Sequence, residues 1–134
     1  MKGLKARITK ALQTGTRLKI VDNSGAKIAS IVAVKTYRGR RKRHPKAGVG
    51  DVVICAVKVG TPEMRHQMVP CVIVRQRKEF RRKNGIRVKF EDNAAIVMKD
   101  LKKGEPQGTV IKGPVAREVV ERFSLITRIS NLVV

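Results

Sequence analysis

The sequence predicts a mainly β protein: a small closed barrel with basic loop and hairpin arms and short helices near its C-terminal end. Three observations carry this expectation. Short apolar, β-branched runs follow one another at close spacing, each ended by Gly, Pro, Asn or Asp. The Asn84-Gly85 pair is the strongest local hairpin signal. Helical periodicity is confined to the C-terminal end, and no internal repeat or low-complexity segment interrupts the pattern.

Taken in order, residues 16–20 alternate Leu18 and Ile20 against Arg17 and Lys19, the period of a half-buried strand. Asn23-Ser24-Gly25 supplies a turn before a second strand over 26–36. Pro45, Gly48 and Gly50 close a basic loop, and Asp51 opens a strand that runs to Val59 and is broken at Gly60, Thr61 and Pro62. Residues 69–77 read as a further strand. The Asn-Gly turn joins 75–83 to 86–90, residues 94–98 form one more strand, and Lys102-Lys103-Gly104 is a turn. Beyond it, Pro114 suits a first helical position, and Val115, Val119 and Phe123 share one helical face. Arg117 with Glu121 and Glu118 with Arg122 are spaced to pair on the outer side. Ser124 is placed to cap a second helical turn that directs Leu125, Ile126 and Ile129 to the barrel. The expectation is one domain over 1–134, with the barrel over about 1–112 and the helical segment over about 113–134.

Charge narrows the function. The 134 residues include 31 Lys and Arg against 10 Asp and Glu, a net charge of +21. Such an excess opposes compaction unless a polyanion neutralises it, which disfavours a small-molecule enzyme and favours nucleic acid. Two stretches concentrate the charge: seven of twelve residues over 35–46 and eight of fifteen over 75–89 are basic, with Glu79 the sole acid in either. Flanked by strand-like sequence, they read as arms on a sheet. The expected nucleic-acid contacts are Lys35, Arg38, Arg40, Arg41, Lys42, Arg43, His44 and Lys46 in the first arm. In the second they are Arg75, Arg77, Lys78, Arg81, Arg82 and Lys83. The arms, rather than the barrel walls, are expected to supply most of the affinity.

The kind of nucleic acid follows from the aromatic count. There is no Trp and there are only one Tyr and three Phe, too few to read single strands by stacking. Phe90 and Phe123 suit the core, which leaves Tyr37 and Phe80 as candidate base stackers. Arginine-rich arms suit bidentate phosphate contacts, so folded RNA recognised by shape and backbone fits best. A general chromatin-like or single-strand nucleic-acid binder is the alternative. The less basic C-terminal face, with Arg117, Glu118, Glu121 and Arg122, is a candidate surface for protein or for an opposing subunit.

Other classes find little support. No phosphate-binding glycine loop, nucleophile elbow or zincin motif is present, and the few acidic residues sit at turns, so no enzyme, cofactor or metal is expected. Cys55 and Cys71 lie in apolar runs without metal-ligand spacing and are expected to be buried and reduced. The longest apolar run, residues 52–57, is far below the roughly 20 residues of a membrane span. With no secretory-type apolar segment at the N-terminus, a cytoplasmic location is expected.

Several motifs then resemble one family. Val72-Ile73-Val74-Arg75-Gln76-Arg77-Lys78, Arg81-Arg82-Lys83-Asn84-Gly85 and Phe90-Glu91-Asp92-Asn93-Ala94 are similar to the central motif of the universal large-subunit ribosomal protein fourteen family. Asp22-Asn23-Ser24-Gly25-Ala26-Lys27, Ala47-Gly48-Val49-Gly50-Asp51 and Gly113-Pro114-Val115-Ala116-Arg117-Glu118 match it in order. The wording resembles the archaeal and eukaryotic branch, archaeal above all. Cys71 stands where many members carry Ala, and the segment after Glu121 departs from the branch's Trp-containing tail. The resemblance implies a five-stranded barrel with short C-terminal helices that binds large-subunit ribosomal RNA near the subunit interface. It also implies intersubunit bridges with small-subunit ribosomal RNA, neighbouring large-subunit proteins, and docking of the anti-association initiation factor six.

Overall fold

Leu18 and Ile20 are buried and Arg17 and Lys19 exposed in the computed structural model, which describes residues 3–35, 37 and 39–134. The strands along the first half are β1 (Leu12–Gln13), β2 (Arg17–Ile20), β3 (Ala26–Val34), β4 (Lys46–Ala47), β5 (Val52–Gly60) and β6 (Met68–Arg75). They are followed by β7 (Phe80–Arg81), β8 (Arg87–Val88), β9 (Ala94–Asp100), β10 (Glu105–Pro106) and β11 (Ile111–Val115). Helices α1 (Arg117–Arg122) and α2 (Ser124–Thr127) precede a last strand, β12 (Ser130–Val133).

Five of these strands close a barrel in the order β9-β2-β3-β5-β6, with β6 returning to pair β9. Closure leaves neither edge open to a stray chain. All neighbours are antiparallel except β2 and β9, which run parallel with Lys19 opposite Ala94 and Ile20 opposite Ala95. The long β3 and β5 pair through several register shifts, and such irregularities bend strands so that a few can curl into a cylinder. Leu18 and a set of small or β-branched residues, including Ala29, Ile31, Val53, Cys55, Cys71, Ile73, Ala95 and Val97, make a dense core. Residues 71–76 are buried without a break, because β6 is covered on both faces. Its outer side meets the C-terminal segment, where the Ala116 N–H donates to the Val74 carbonyl at 3.3 Å.

The C-terminal segment departs from the expected helices. Pro114 lies in β11, which pairs parallel with β12, and α1 starts only at Arg117 with Ala116 as its N-cap. Proline is tolerated there because it needs no N–H on the strand's outer side. Ser124 is the first residue of α2 rather than its cap, and Phe123 caps without a side-chain bond. Val119, Phe123 and Ile126 are buried as expected, but Val115 is buried from β11 rather than from a helix, and Leu125 and Ile129 are only half-buried. Both cysteines are free and buried. A hydrogen bond with Cys55, then burial, pushes the Cys71 thiol far above its ordinary range.

Candidate nucleic-acid interface

The first arm leaves the barrel at Val34 and returns at β4, held at its root by Lys35 N–H donating to Val52 at 3.0 Å and by Ala47 opposite Leu12. Between these anchors Lys35, Arg40, Arg41, Lys42, Arg43, His44 and Lys46 are all exposed; Arg38 lies outside the described residues. None of them forms an ion pair among the described residues. Tyr37 is half-buried, and its hydroxyl donates to the His44 carbonyl at 3.3 Å. It therefore braces the loop across its own width.

The second arm is a hairpin, shorter in its strands than expected. Arg82 N–H donates to the Ile86 carbonyl at 2.9 Å, Gly85 N–H returns to Arg82 at 3.0 Å, and Gly85 takes φ +85. The loop is thus the three residues Lys83, Asn84 and Gly85, with glycine in the left-handed position such loops require. Arg77, Lys78, Arg81 and Lys83 are exposed, as are Arg87 and Lys89 on the return side, which sequence reasoning did not single out. Glu79 is held below the usual carboxylate range mainly by its hydrogen bond with Lys78, so one arm cation is partly spent within the arm.

Three expected contacts are occupied elsewhere. Arg75 is 6% exposed and donates to both oxygens of Asp92, at 2.7 and 3.0 Å. It also donates to the carbonyls of Lys112 and Pro114 at 3.1 and 2.9 Å, so it fastens the end of β6 to β11 with its donors already engaged. Arg82 does not project with its neighbours. It donates to Glu118 at 2.7 and 3.2 Å and to the Val134 carbonyl at 2.7 Å. Phe80 is 1% exposed, which removes it as a base stacker: its ring anchors the hairpin in the core, with the Arg82 guanidinium 5.8 Å from its centroid.

The C-terminal face divides in the same way. Arg117 and Glu121 are exposed. Glu118 is instead consumed by Arg82, while Arg122 donates to the Gly50 carbonyl at 2.6 Å and sits 3.8 Å from Asp51. Neither expected pair within α1 forms among the described residues: Glu118 and Arg122 are taken by arm and barrel groups that their local sequence does not reveal, while Arg117 and Glu121 stay exposed.

Sequence reasoning gave one organising residue, Gln76, no role beyond its place in a motif. The Gln76 side chain is fully buried; it accepts from Val49 N–H at 3.0 Å and donates to the carbonyls of Thr9 and Lys78 at 3.0 and 2.9 Å. It joins the return of the first arm, the start of the second and the N-terminal segment. Gly48 passes so close that a Cβ there would stand 3.0 Å from the Thr9 carbonyl and 3.2 Å from Gln76 Oε1. Asp51 completes the joint, accepting from Gly48 N–H at 2.9 Å and pairing with Lys5. The result is two exposed cationic arms rooted in one rigid, fully bonded junction.

Known proteins resemble the chain in sequence over its full length. The family model described as ribosomal protein L14p/L23e matches residues 11–134. The chain is 54% identical over 134 residues to the large ribosomal subunit protein uL14 of Methanothrix thermoacetophila, covering all of both chains. Proteins of the same description from Halobacterium salinarum and Methanocella arvoryzae are 51% and 50% identical, again over the full length of both chains.

Proposed function

This chain belongs to the ribosomal protein L14p/L23e family, and from that membership we propose its function: it is a structural constituent of the large ribosomal subunit that holds ribosomal RNA by its two basic arms. The observation that carries the RNA reading is the exposed row from Arg40 to His44, unopposed by any carboxylate ion pair among the described residues. Arg77, Lys78, Arg81 and Lys83 add a second row. Because the barrel and the Gln76 junction fix both roots, the guanidinium groups reach RNA with little left to order. Phosphate contacts set position, and folded RNA supplies the complementary shape.

The role is structural: it neutralises phosphate and fixes geometry, with no substrate turned over. Within the cytoplasmic ribosome, the exposed Arg117 and Glu121 are the groups of the C-terminal face left to meet small-subunit RNA across an intersubunit bridge, a neighbouring large-subunit protein or the anti-association initiation factor six. Sedimentation of the tagged chain tests this reading. Co-migration with large subunits, resistant to nuclease trimming of messenger RNA, is the expected result. A pool that remains with bulk DNA or oligonucleotide would favour a general nucleic-acid binder.

A further inference from the structure

A groove of about 1020 Å³ runs along β2, from Arg75, Arg77 and Asn93 at the base of the second arm to the turn at Asn23 and Gly25. Five exposed cations line it: Arg17 and Lys19 from β2, Lys27 from β3, Arg77 from the arm, and Lys112 from β11. We propose that this groove is a second RNA site on the barrel wall, a track for the sugar-phosphate backbone that continues the surface of the second arm. The inference rests on the RNA reading above and adds residues which that reading does not use.

Its chemistry is lopsided. The sole carboxylate in the lining is Asp22, which is buried; Oδ1 accepts from Ser24 and Oδ2 accepts from Val97 N–H at 2.6 Å. Asp92, the nearby acid that Lys19 helps to hold ionised, is committed to Arg75. The five cations therefore face solvent with no free carboxylate in the lining, and none of them forms an ion pair among the described residues. Arg17 and Lys19 stand two residues apart on one strand, about 7 Å, a spacing suited to successive phosphates. No aromatic residue lines the groove, so it offers no stacking platform for bases, and recognition would be of backbone. An extended peptide is a poorer occupant: β2 is paired on both sides, to β3 and β9, so its main chain has no free edge for strand addition.

The test compares the full chain with Arg17→Ala/Lys19→Ala/Lys112→Ala and, separately, with Arg40→Ala/Arg41→Ala/Arg43→Ala, binding a transcript of large-subunit ribosomal RNA across a salt series. Loss of three wall cations should leave the melting temperature unchanged, weaken binding about tenfold or more, and reduce the log–log salt slope by about 2 to 3. Arg17→Lys/Lys19→Arg, which keeps the charge, should bind like the parent. Parental affinity and slope in the wall variant, while the arm variant is weakened, would overturn the groove and leave the RNA reading standing. Parental RNA binding combined with loss of a crosslink to a neighbouring subunit protein would assign the groove to protein and equally overturn the proposal. A parent chain that does not bind the transcript at all would sink the RNA reading, and the groove with it.

Discussion

Arg75 and Phe80 illustrate how a residue type expected to meet RNA can be absorbed by the fold. Arg75→Ala would leave Asp92 and the Lys112 and Pro114 carbonyls without their shared donor, a loss on the order of 3 kcal/mol for a buried charge-assisted set. Arg75→Lys should recover little, because an ammonium cannot reproduce the bidentate fork; denaturant unfolding of both variants checks this. A pH dependence follows from the same contact. The Arg75 hydrogen bond holds the Asp92 carboxyl below its ordinary value in the folded chain. Its contribution is therefore complete above the unfolded carboxylate value of about 3.9 and is lost as pH falls through the lower folded value. Asp92→Asn should melt below the parent at neutral pH and converge with it in acid. Phe80→Ala should cost about 3 kcal/mol or more through the cavity left by a 1%-exposed ring, whereas Tyr37→Ala should leave core stability nearly unchanged.

At the scale of elements, the hairpin and the C-terminal segment depend on single anchors. Gly85→Val places a β-branched residue at φ +85, costing about 1 kcal/mol or more. Amide exchange should rise in residues 80–88 while the barrel strands stay protected. Gln76→Ala reaches further, since it orphans Val49 N–H and two carbonyls at the junction of both arms. A cost of about 2 kcal/mol or more is expected, with faster proteolysis at the arm roots and the N-terminal segment. Reversing Arg117 to Glu should spare the fold and weaken only contacts made by the outer face of α1. Reversing Arg122 should destabilise the chain, because its guanidinium is tied to Gly50 and lies beside Asp51. Thermal melts of the two single variants separate these outcomes.

For the whole molecule, the net charge of +21 is tolerated because the cations are spread over arms and wall while the core holds almost none. Neutralising roughly 6 to 10 phosphates should give a log–log salt slope of about −4 to −9. Arg40→Ala/Arg41→Ala/Arg43→Ala should flatten it without changing the melting temperature, as all three are exposed. Filter binding at several salt concentrations measures both the slope and its change.

The five barrel strands, the Asn-Gly turn and the two basic arms were legible in the sequence by itself, because each rests on local physics, whereas the short strands β1, β4, β10, β11 and β12 were not. The alternation at Arg17–Ile20 reports a two-sided strand, glycine at 85 reports a left-handed turn, and a run of like charge must face solvent or a polyanion. The buried row of Val119, Phe123 and Ile126 was readable for the same reason. Only the tertiary structure decided which charges remain free. Arg75, Arg82, Glu118 and Arg122 look in sequence like Arg81 or Arg117, yet their partners are 17 to 72 residues away. The parallel pairing of β11 with β12 and the Gln76 junction are hidden for the same reason. A charge is consumed or left exposed according to which distant groups the closed barrel brings within hydrogen-bonding reach, and no local pattern encodes that distance.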